Sequence, residues 1–327
     1  MEYRLLIVPL LSFIVTYFAT RTWIKIAKKE NFLVKDMNKY NSPKIPGYGG
    51  IAVLFGFCMG IFFYIALSIF YFKRTIHLVE IFALLTTILI IAFIGMLDDT
   101  LGWKRGLKKW QKPLLTIPAA IPLMAINAGF TRIYVPFLGP INIGLLYPLI
   151  LIPLGIIGAS QGFNMLAGLN GLEAGLASII LFTLGFISWQ NNEPWIALIC
   201  LSIVVSLIAF WFFNKYPAKV FSGDVLRYPL GAIIAGIAIL GNIEKAALIL
   251  FIPYFLEFFI KLKNKFKTEC FLIPQKDNSL KPPEKIGSLT HIIAKLLNKI
   301  KNKVYENDIV YSLYCFELVL AIIVLHL

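Results

Sequence analysis

The sequence predicts an all-α integral membrane protein that crosses the bilayer about ten times. Hydrophobic residues make up 59% of the 327 residues and the mean hydropathy is +0.79, values far above those of soluble domains. Apolar runs of about the length that a membrane-spanning helix needs recur along the chain. Basic residues are concentrated in every second loop between these runs, a pattern typical of cytoplasmic loops.

Ten segments are long enough, or nearly long enough, to cross the bilayer. They lie near residues 3–21, 50–71, 79–97, 113–128, 141–158, 172–189, 194–213, 228–241, 244–261 and 308–327. The eighth and ninth are short and only Gly241-Asn-Ile separates them, so one re-entrant hairpin is the alternative for this pair. Prolines within several spans are compatible with helices, because neighbouring helices satisfy the carbonyl groups that a proline frees. Residues 1–327 are therefore expected to form a single multi-pass domain.

The loops predict the orientation of the chain. All but five of the 31 Lys and Arg residues lie in, or at the border of, the loops that follow odd-numbered spans. These loops are residues 22–49, 98–112, 159–171, 214–227 and 262–307. The positive-inside rule places them in the cytoplasm and both termini outside. Because this asymmetry accounts for most of the net charge of +14, nucleic acid is not expected as a partner.

The N-terminal apolar run, Leu5 to Thr20, is interpreted as the first span. No small-residue cleavage site precedes Arg21, so a removed signal peptide is not indicated. The four cysteines and three histidines are scattered along the chain and form neither a disulfide framework nor a zinc-ligand spacing.

Residues 262–307 are the longest polar segment and are expected to be cytoplasmic. Residues 281–290 are predicted to be a loop, and residues 291–304 an amphipathic helix with an apolar face and a lysine-rich face. Such a helix either lies in the membrane interface or covers a cytoplasmic cleft, and the sequence favours neither.

Polar residues of unusual type collect in the same cytoplasmic loops. The segment Asn164–Gly175 carries two asparagines, a glutamate and three glycines between two apolar runs. Polar groups beside a hydrocarbon layer are costly unless something binds them, and glycines let a backbone turn sharply or approach a ligand closely. Asp98-Asp99 and Ser222-Gly-Asp224 lie on the same side, whereas the acidic residues of the outer loops do not cluster. This grouping indicates a site for an anionic substrate and a divalent cation.

Asp98 and Asp99 end the third span, and lysines follow within one or two helical turns. Adjacent carboxylates repel each other unless a cation or lysines lie nearby. The pair is either a solvated helix end or a metal-facing or basic pair whose lysines bind phosphate as point charges. The lysines are Lys104, Lys108, Lys109 and Lys112.

Asp224 and Asn164 would suffice as protein ligands of magnesium. Mg²⁺ prefers oxygen ligands, usually one or two carboxylates that water and substrate phosphates complete. Gly223-Asp224 alone is more typical of a turn, but its position on the same side as the other acids favours the metal. Farther upstream, residues 35–50 contain lysines and glycines that either cradle a nucleotide phosphate or form a plain basic linker.

Several motifs resemble those of a known enzyme family. Asn164-Met-Leu-Ala-Gly-Leu-Asn-Gly-Leu-Glu-Ala-Gly175 is similar to the Asn-Ile-Leu-Ala-Gly-Ile-Asn-Gly-Leu-Glu-Ala-Gly signature of UDP-GlcNAc:dolichyl-phosphate GlcNAc-1-phosphate transferases. Tyr216-Pro-Ala-Lys-Val-Phe-Ser-Gly-Asp224 resembles their Tyr-Pro-x-x-Val-Phe-x-Gly-Asp segment, and Asp36-Met-Asn-Lys39 and Gly95-Met-Leu-Asp-Asp99 also fit. The chain thus resembles the polyprenyl-phosphate N-acetylhexosamine-1-phosphate transferases (glycosyltransferase 4 family), most closely their archaeal and eukaryotic branch.

The resemblance implies a phosphoglycosyl transfer. An oxygen of a polyprenyl (dolichyl) phosphate attacks the β-phosphorus of UDP-GlcNAc and UMP leaves, as the first step of lipid-linked oligosaccharide synthesis for protein N-glycosylation. By similarity, Asp224 and Asn164 would hold magnesium, with manganese as the alternative ion, and Asn170 would contact the uracil. The implied catalytic residues are Asp98, Asp99 and Lys112, and the further substrate-binding residues are Asp36, Lys39 and Lys108.

Two departures from the family bear on the choice of sugar. Ile273–Pro282 contains neither Arg nor His, where the eukaryotic branch carries both, and Gly47 replaces a glutamate of that branch. A related transferase that uses another UDP-N-acetylhexosamine for cell-envelope glycans is therefore an alternative. A secondary transporter is a further one, although transporters place polar residues near midspan and this chain places them at span ends. A scaffold that holds anionic lipid would explain the basic loops but not the acids.

The expected location is the cell membrane of a prokaryote, with the catalytic face toward the cytoplasm, or the endoplasmic reticulum membrane of a eukaryote. The implied partners are UDP-GlcNAc, a polyprenyl phosphate and membrane lipid, and a homodimer is the expected alternative to a monomer.

Overall fold

The computed structural model describes residues 3–101, 107–108, 110–129, 132–135 and 139–327, and this part of the chain is mostly helical. Within it, eight helices are long and apolar enough to cross a membrane. They are Arg4–Lys29, Gly50–Tyr71, Leu78–Leu101, Tyr147–Met165, Leu172–Gln190, Pro194–Asn214, Asp224–Gly241 and Glu306–Leu325. Each coincides with a predicted span, so the prediction of a helical, multi-pass membrane protein is confirmed.

The fourth predicted span contains breaks. It consists of α4 (Gln111–Thr116), a 3₁₀ turn (Ile117–Ala120) and α5 (Ile121–Ala125). Pro118 and Pro122 lie within the first two residues of the second and third pieces. Proline lacks an N–H group and its ring clashes with the preceding turn, so a continuous α-helix is not favoured here.

The ninth predicted span is divided as well. α10 (Glu244–Leu250) ends at Phe251, and α11 (Ile252–Lys263) begins directly before Pro253. In the described part of the chain, eight helices are thus continuous and long enough to span a membrane, and the count of about ten spans stays a prediction.

The first loop, residues 30–49, joins α1 (Ile7–Lys29) to its neighbour α2 (Gly50–Ala66) and contains a small hairpin. Its strands are β1 (Leu33–Lys35) and β2 (Lys44–Pro46), which pair antiparallel with Val34 opposite Ile45. Two further two-stranded hairpins lie in other loops. They are β3 (Arg132–Val135) with β4 (Gly139–Asn142), and β5 (Ile273–Pro274) with β6 (Leu280–Lys281). The all-α prediction therefore holds for the spans but not for these loops, because hairpin pairing satisfies the backbone of an extended connection.

α9 (Asp224–Gly241) lies at the centre of the helix packing, between α3 (Leu78–Leu101) and α6 (Ile152–Met165). Two glycines allow the close approach. A Cβ atom at Gly95 would lie 2.4 Å from the carbonyl oxygen of Asp224, and one at Gly231 would lie 2.2 Å from that of Ala159. Any larger residue at either position would force the helices apart.

The eighth span begins earlier than predicted. α9 starts at Asp224, not near residue 228, and its 18 residues are long enough to cross a membrane. Gly223 precedes it with φ +77°, a conformation that side chains rarely adopt. Asp224 thus belongs to the first turn of a spanning helix, and Ser222 and Gly223 directly precede that helix.

The last spanning helix closes the packing on the other side of the molecule. α7 (Leu172–Gln190) packs against both α8 (Pro194–Asn214) and α13 (Glu306–Leu325). The Tyr314 hydroxyl donates to the carbonyl of Gly171 at 2.6 Å. This bond joins the end of the Asn164–Gly175 segment to α13.

The predicted amphipathic helix is α12 (Leu289–Ile300), which begins and ends earlier than residues 291–304. Its first turn is bonded to α11, since Glu257 accepts hydrogen bonds from the Ser288 hydroxyl at 3.0 Å and from the Leu289 N–H at 2.6 Å. His291 and Ala294 are buried against the protein, whereas Leu296 and Ile300 are exposed. One face therefore covers the protein and the other is free.

Candidate active site

The residues that the sequence groups on one side of the membrane lie at one end of the helices, in two charged clusters. We call the first the helix-end cluster; it comprises Asp98, Asp99, Lys112, Glu173, Asp224 and Arg227. We call the second the loop cluster; it comprises Asp36, Lys39, Asn170 and Glu306.

Asp98 lies in the last turn of α3 and is buried. Its carboxylate forms an ion pair with Lys112, which α4 presents from its first turn. The Leu107 N–H donates to Oδ1 at 2.8 Å, and the Tyr228 hydroxyl donates to Oδ2 at 3.2 Å. Three donors therefore hold Asp98 as an ionised acceptor that orients Lys112.

Asp99 binds the N-terminus of α9. Its Oδ1 accepts the Asp224 N–H at 3.0 Å and its Oδ2 accepts the Val225 N–H at 2.9 Å. The first N–H groups of a helix have no intrahelical partner and carry the positive end of the helix dipole, so a carboxylate is stabilised there. A Cβ atom at Gly223 would lie 2.6 Å from Asp99 Oδ2, so glycine makes room for this bond.

Asp224 lies between two basic side chains. Lys112 Nζ is 3.7 Å from its Oδ2, and an Arg227 terminal nitrogen is 3.3 Å from its Oδ1. Lys112 thus contacts both Asp224 and Asp98, whereas Lys108 is exposed and its N–H donates to the side chain of Gln111 at 2.9 Å. Of Lys108 and Lys112, therefore, Lys112 is the one that contacts the acidic side chains of the cluster.

Asn164 lies in the last turn of α6 and is half-buried. No side-chain hydrogen bond joins it to any other residue that the structure describes, so its carboxamide oxygen is available. The segment that follows α6 reaches the helix-end cluster, since the Gly168 N–H donates to Glu173 at 3.0 Å. Asn164 and Asp224 therefore lie at the same end of two adjacent helices, and their role as metal ligands stays a prediction.

Glu173 and Arg227 are functional candidates that sequence reasoning missed. The sequence indicates no catalytic or binding role for Glu173, and Arg227 is one of the basic residues in the loop predicted at 214–227. The structure places Arg227 Nε 3.2 Å from Glu173 Oε1, while the same guanidinium contacts Asp224. The i,i+3 spacing of Asp224 and Arg227 was the available signal, because residues so spaced are neighbours on one helix face.

The loop cluster joins the first loop, residues 30–49, to α13. Lys39 is nearly buried and forms ion pairs with Glu306 and, at 3.4 Å, with Asp36. Its ammonium group also lies 4.4 Å from the centre of the Tyr216 ring. Glu306, at the start of α13, was not singled out from the sequence, although an acidic first-turn residue is a recognisable sign of a helix start.

Asn170 is buried in the loop cluster and bonded through both ends of its carboxamide. Its Nδ2 donates to Asp36 at 3.2 Å, and its Oδ1 accepts the Ala218 N–H at 2.8 Å. Its backbone N–H donates to Glu306. Asn170 thus connects three loops, and one side-chain N–H remains for a ligand.

The glycines of the first loop do not form a phosphate cradle. The N–H groups of Gly47, Gly49 and Gly50 donate to the carbonyls of Phe32, Phe221 and Ser222 at 2.8–2.9 Å. With these donors occupied, the loop connects α2 to the residues before α9. Of the two alternatives for residues 35–50, these three glycines therefore fit a basic linker and not a phosphate-binding loop.

The helix-end cluster has the charge and the donor types that suit a divalent cation. Its four carboxyl groups lie beside two basic side chains, so acidic groups outnumber basic ones there. Burial, together with the negative charges of Asp99 and Asp224, raises the pKa of the neighbouring Tyr48 hydroxyl. Among the described residues no three His, Cys, Asp or Glu side chains converge as a preformed metal site. The helix-end cluster fits Mg²⁺, because this ion takes few protein carboxylates and completes its shell with water and substrate phosphates.

Comparison with known proteins places these motifs in a family. The model of glycosyl transferase family 4 matches residues 81–242, which include the whole of the helix-end cluster and the whole of Asn164–Gly175. A protein of Saccharolobus solfataricus, provisionally named UDP-N-acetylglucosamine–dolichyl-phosphate N-acetylglucosaminephosphotransferase, is 39% identical over 316 residues, 96% of this chain and 94% of that protein.

Two further relatives carry the same name. A protein of Sulfolobus acidocaldarius, also provisionally named, is 34% identical over 321 residues, which cover 98% of this chain and 94% of that protein. A protein of Dictyostelium discoideum is 28% identical over 293 residues, covering 77% of this chain and 70% of its own. The similarity therefore extends over nearly the whole chain in the first relatives.

Proposed function

The chain belongs to glycosyl transferase family 4, and from this we propose that it transfers N-acetylglucosamine 1-phosphate from UDP-GlcNAc to a dolichyl or other polyprenyl phosphate, releasing UMP. The product would be the first intermediate of lipid-linked oligosaccharide synthesis for protein N-glycosylation. The observation that carries the proposal is the helix-end cluster, in which Lys112 lies between Asp98 and Asp224 at the end of three packed helices.

The reaction asks mainly for positioning and charge neutralisation. An acceptor phosphate oxygen forms the new bond to the β-phosphorus, and the bond from that phosphorus to the oxygen bridging to the α-phosphorus breaks, so UMP leaves with this oxygen. The acceptor phosphate is largely ionised near neutral pH, because its second pKa is about 6. No strong general base is therefore needed.

The side chains of the helix-end cluster have distinct proposed tasks. Lys112 binds a substrate phosphate as a point charge, and Asp98 orients it through their ion pair. Asp99 binds the N–H groups of the first turn of α9 and thereby fixes the position of Asp224. Asp224 and Asn164 would hold magnesium, which when bound neutralises charge on the diphosphate and the departing UMP.

The nucleotide would lie toward the loop cluster. Asn170 is proposed to contact the uracil through the side-chain N–H that Asp36 does not occupy. Asp36 and Lys39 bond to Asn170 and Glu306 and would act on the substrate mainly by holding Asn170 in place. Lys108 is exposed beside α4, where it would attract the anionic substrate.

The site is proposed to face the cytoplasm of a cell membrane. The basic loops that flank both clusters favour this orientation by the positive-inside rule. UDP-sugars would then reach the site from the cytoplasm and the lipid phosphate from the bilayer.

A second candidate is the transfer of another N-acetylhexosamine phosphate within the same family. The sequence of Ile273–Pro282, which lacks Arg and His, favours keeping this alternative. In the structure Asn278 of this segment accepts the Tyr40 N–H at 3.0 Å, next to the first cytoplasmic loop. A secondary transporter is less well supported, because the charged clusters lie at helix ends and not along a midspan path.

The purified protein, in detergent or lipid nanodiscs, tests the proposal. It should release UMP from UDP-GlcNAc only when both Mg²⁺ and a polyprenyl phosphate are present, and it should form a lipid diphosphate sugar. If protein that is shown to be folded releases no UMP under these conditions, the proposed enzymatic activity is refuted. UDP-GlcNAc, UDP-GalNAc and UDP-MurNAc-pentapeptide compared side by side would identify the sugar.

A further inference from the structure

We propose that Arg227 is a substrate-binding residue that holds the diphosphate of the nucleotide sugar. This inference rests on the proposed function and adds a second cation to the one supplied by Lys112. It follows from the contacts of the guanidinium group, from the N–H groups that these contacts leave over, and from the place of Arg227 beside Asp224.

Arg227 is firmly held on one side. Its Nε lies 3.2 Å from Glu173 and 3.4 Å from the Ser222 hydroxyl oxygen, and one terminal nitrogen lies 3.3 Å from Asp224. Glu173 is itself held, because it also accepts the Gly168 N–H at 3.0 Å. The plane of the guanidinium group is thereby set by contacts from α7, α9 and the residues before α9.

The other side of the group is available. An arginine side chain carries five N–H donors, and the contacts above use Nε and one N–H of the first terminal nitrogen. No residue that the structure describes accepts a hydrogen bond from the second terminal nitrogen, and the side chain is 20% exposed. A planar guanidinium with free parallel N–H groups matches the geometry of a phosphate.

The position of Arg227 relative to Lys112 fits a diphosphate. Lys112 approaches Oδ2 of Asp224 and Arg227 approaches Oδ1, so the two cations flank one carboxylate. A nucleoside diphosphate sugar has two adjacent phosphates, each of which can meet one of these cations. A residue needed only to neutralise Glu173 and Asp224 would not require unpaired N–H groups beside the proposed catalytic lysine.

Glu173 has the role of a positioning residue in this proposal. It does not contact the substrate but fixes the guanidinium plane and links it to the backbone of Gly168. Glu173 thus has a positioning role in this proposal, whereas the sequence indicated no functional role for it.

The test compares the binding of UDP and of uridine to the full-length protein in nanodiscs by calorimetry. Arg227→Gln removes the charge, Arg227→Lys keeps it without the planar fork, and Lys219→Gln removes an exposed basic residue of the segment before α9 as the control. We expect Arg227→Gln to weaken UDP binding by about 10- to 100-fold, the range of a charge-assisted hydrogen bond, and to change uridine binding by less than about 2-fold. Arg227→Lys should recover part of the UDP affinity, and Lys219→Gln should resemble the native protein.

Measurements with EDTA separate direct contact from an effect on Asp224. The loss of UDP affinity should persist without Mg²⁺ if Arg227 touches the phosphates, and a loss seen only with Mg²⁺ would overturn the proposal. Equal weakening of UDP and uridine would also overturn it, because a disturbed fold affects both ligands. Native protein that binds neither ligand and releases no UMP would instead refute the proposed function.

Glu173→Gln supplies an independent readout. Loosening the guanidinium plane should raise the KM for UDP-GlcNAc several-fold and leave kcat within about 2-fold, since Glu173 touches no reacting atom. An unchanged KM together with a reduced kcat would contradict the positioning role.

Discussion

The helix-end cluster and the loop cluster lie at the same end of the molecule but differ in how completely their polar groups are paired. In the loop cluster, Lys39 has two carboxylate partners and Asn170 is bonded through its backbone and both ends of its side chain. In the helix-end cluster, by contrast, Arg227 retains N–H groups from which no described residue accepts a hydrogen bond. Buried polar groups without partners cost free energy. Unpaired groups in the helix-end cluster therefore indicate that a ligand binds there.

The two clusters also differ in the elements that hold them. The loop cluster is made chiefly by loops that are far apart in sequence, and its bonds hold these loops together. The helix-end cluster is carried by the ends of α3, α7 and α9, whose packing at Gly95 leaves little freedom. The difference favours a positioning role for the loop cluster, which would hold Asn170 in place, and a role in phosphate chemistry for the helix-end cluster, and substitutions can test this division.

The largest expected effect is that of Asp224→Asn. Loss of the carboxylate removes the proposed metal ligand and should reduce the rate of UMP release by about 10³-fold or more, since such charge stabilisation is worth several kcal/mol. The melting temperature should change little, because the Asp224 side chain is partly exposed and asparagine has the same size and shape. Asp277→Asn, in an exposed loop, is the matched control; near-native turnover of Asp224→Asn would mean that the metal assignment is wrong.

The next comparison is between two lysines. Lys112→Met should lower kcat by about 10²- to 10³-fold, the cost of removing one preorganised electrostatic contact. Lys108→Met should change it by less than about 3-fold, because Lys108 is exposed and only its backbone is bonded. Steady-state UMP release measures both, and a larger effect at Lys108 would reverse their proposed roles.

Lys39→Met tests the loop cluster. It leaves Asp36 and Glu306 buried without their shared cation, which should destabilise the protein by about 3–5 kcal/mol. Thermal unfolding in detergent should show the loss, while kcat below the transition should stay within about 3-fold, because Lys39 contacts no reacting atom. A raised KM at unchanged stability would instead assign Lys39 to direct substrate binding.

The smallest expected effect is a pH dependence that arises at α12. His291 donates through Nε2 to the carbonyl of Phe271 at 2.9 Å and accepts the Gly287 N–H at Nδ1 at 3.2 Å, so it is held as the neutral imidazole. Burial lowers the pKa of His291 below its usual value of about 6.5. The unfolded chain then binds the proton more readily, and stability is lost as the pH falls below that value. The melting temperature should fall slightly more between pH 7.5 and 5.5 in the native protein than in His291→Gln; equal decreases would exclude His291 as the cause.

The sequence was sufficient to predict where the helices lie and which residues meet at one end. Asp98, Asp99, Asn164 and Asp224 were grouped from loop position alone, and the structure brings them to one end of three packed helices. Periodicity and hydropathy are local properties, and they also located α12 to within a few residues. The breaks in the fourth and ninth spans were not predicted, although their prolines were visible.

What the sequence by itself determined is the membrane class of the chain, the approximate spans and the family to which its motifs point. Only the tertiary structure decided that Lys112 and not Lys108 joins the acids, that Asp99 binds the start of α9, and that Arg227 pairs with Glu173. These contacts join residues that are 14 to 126 positions apart. Hydropathy follows from each short stretch of chain, whereas such contacts arise from helix packing, which a single sequence does not specify.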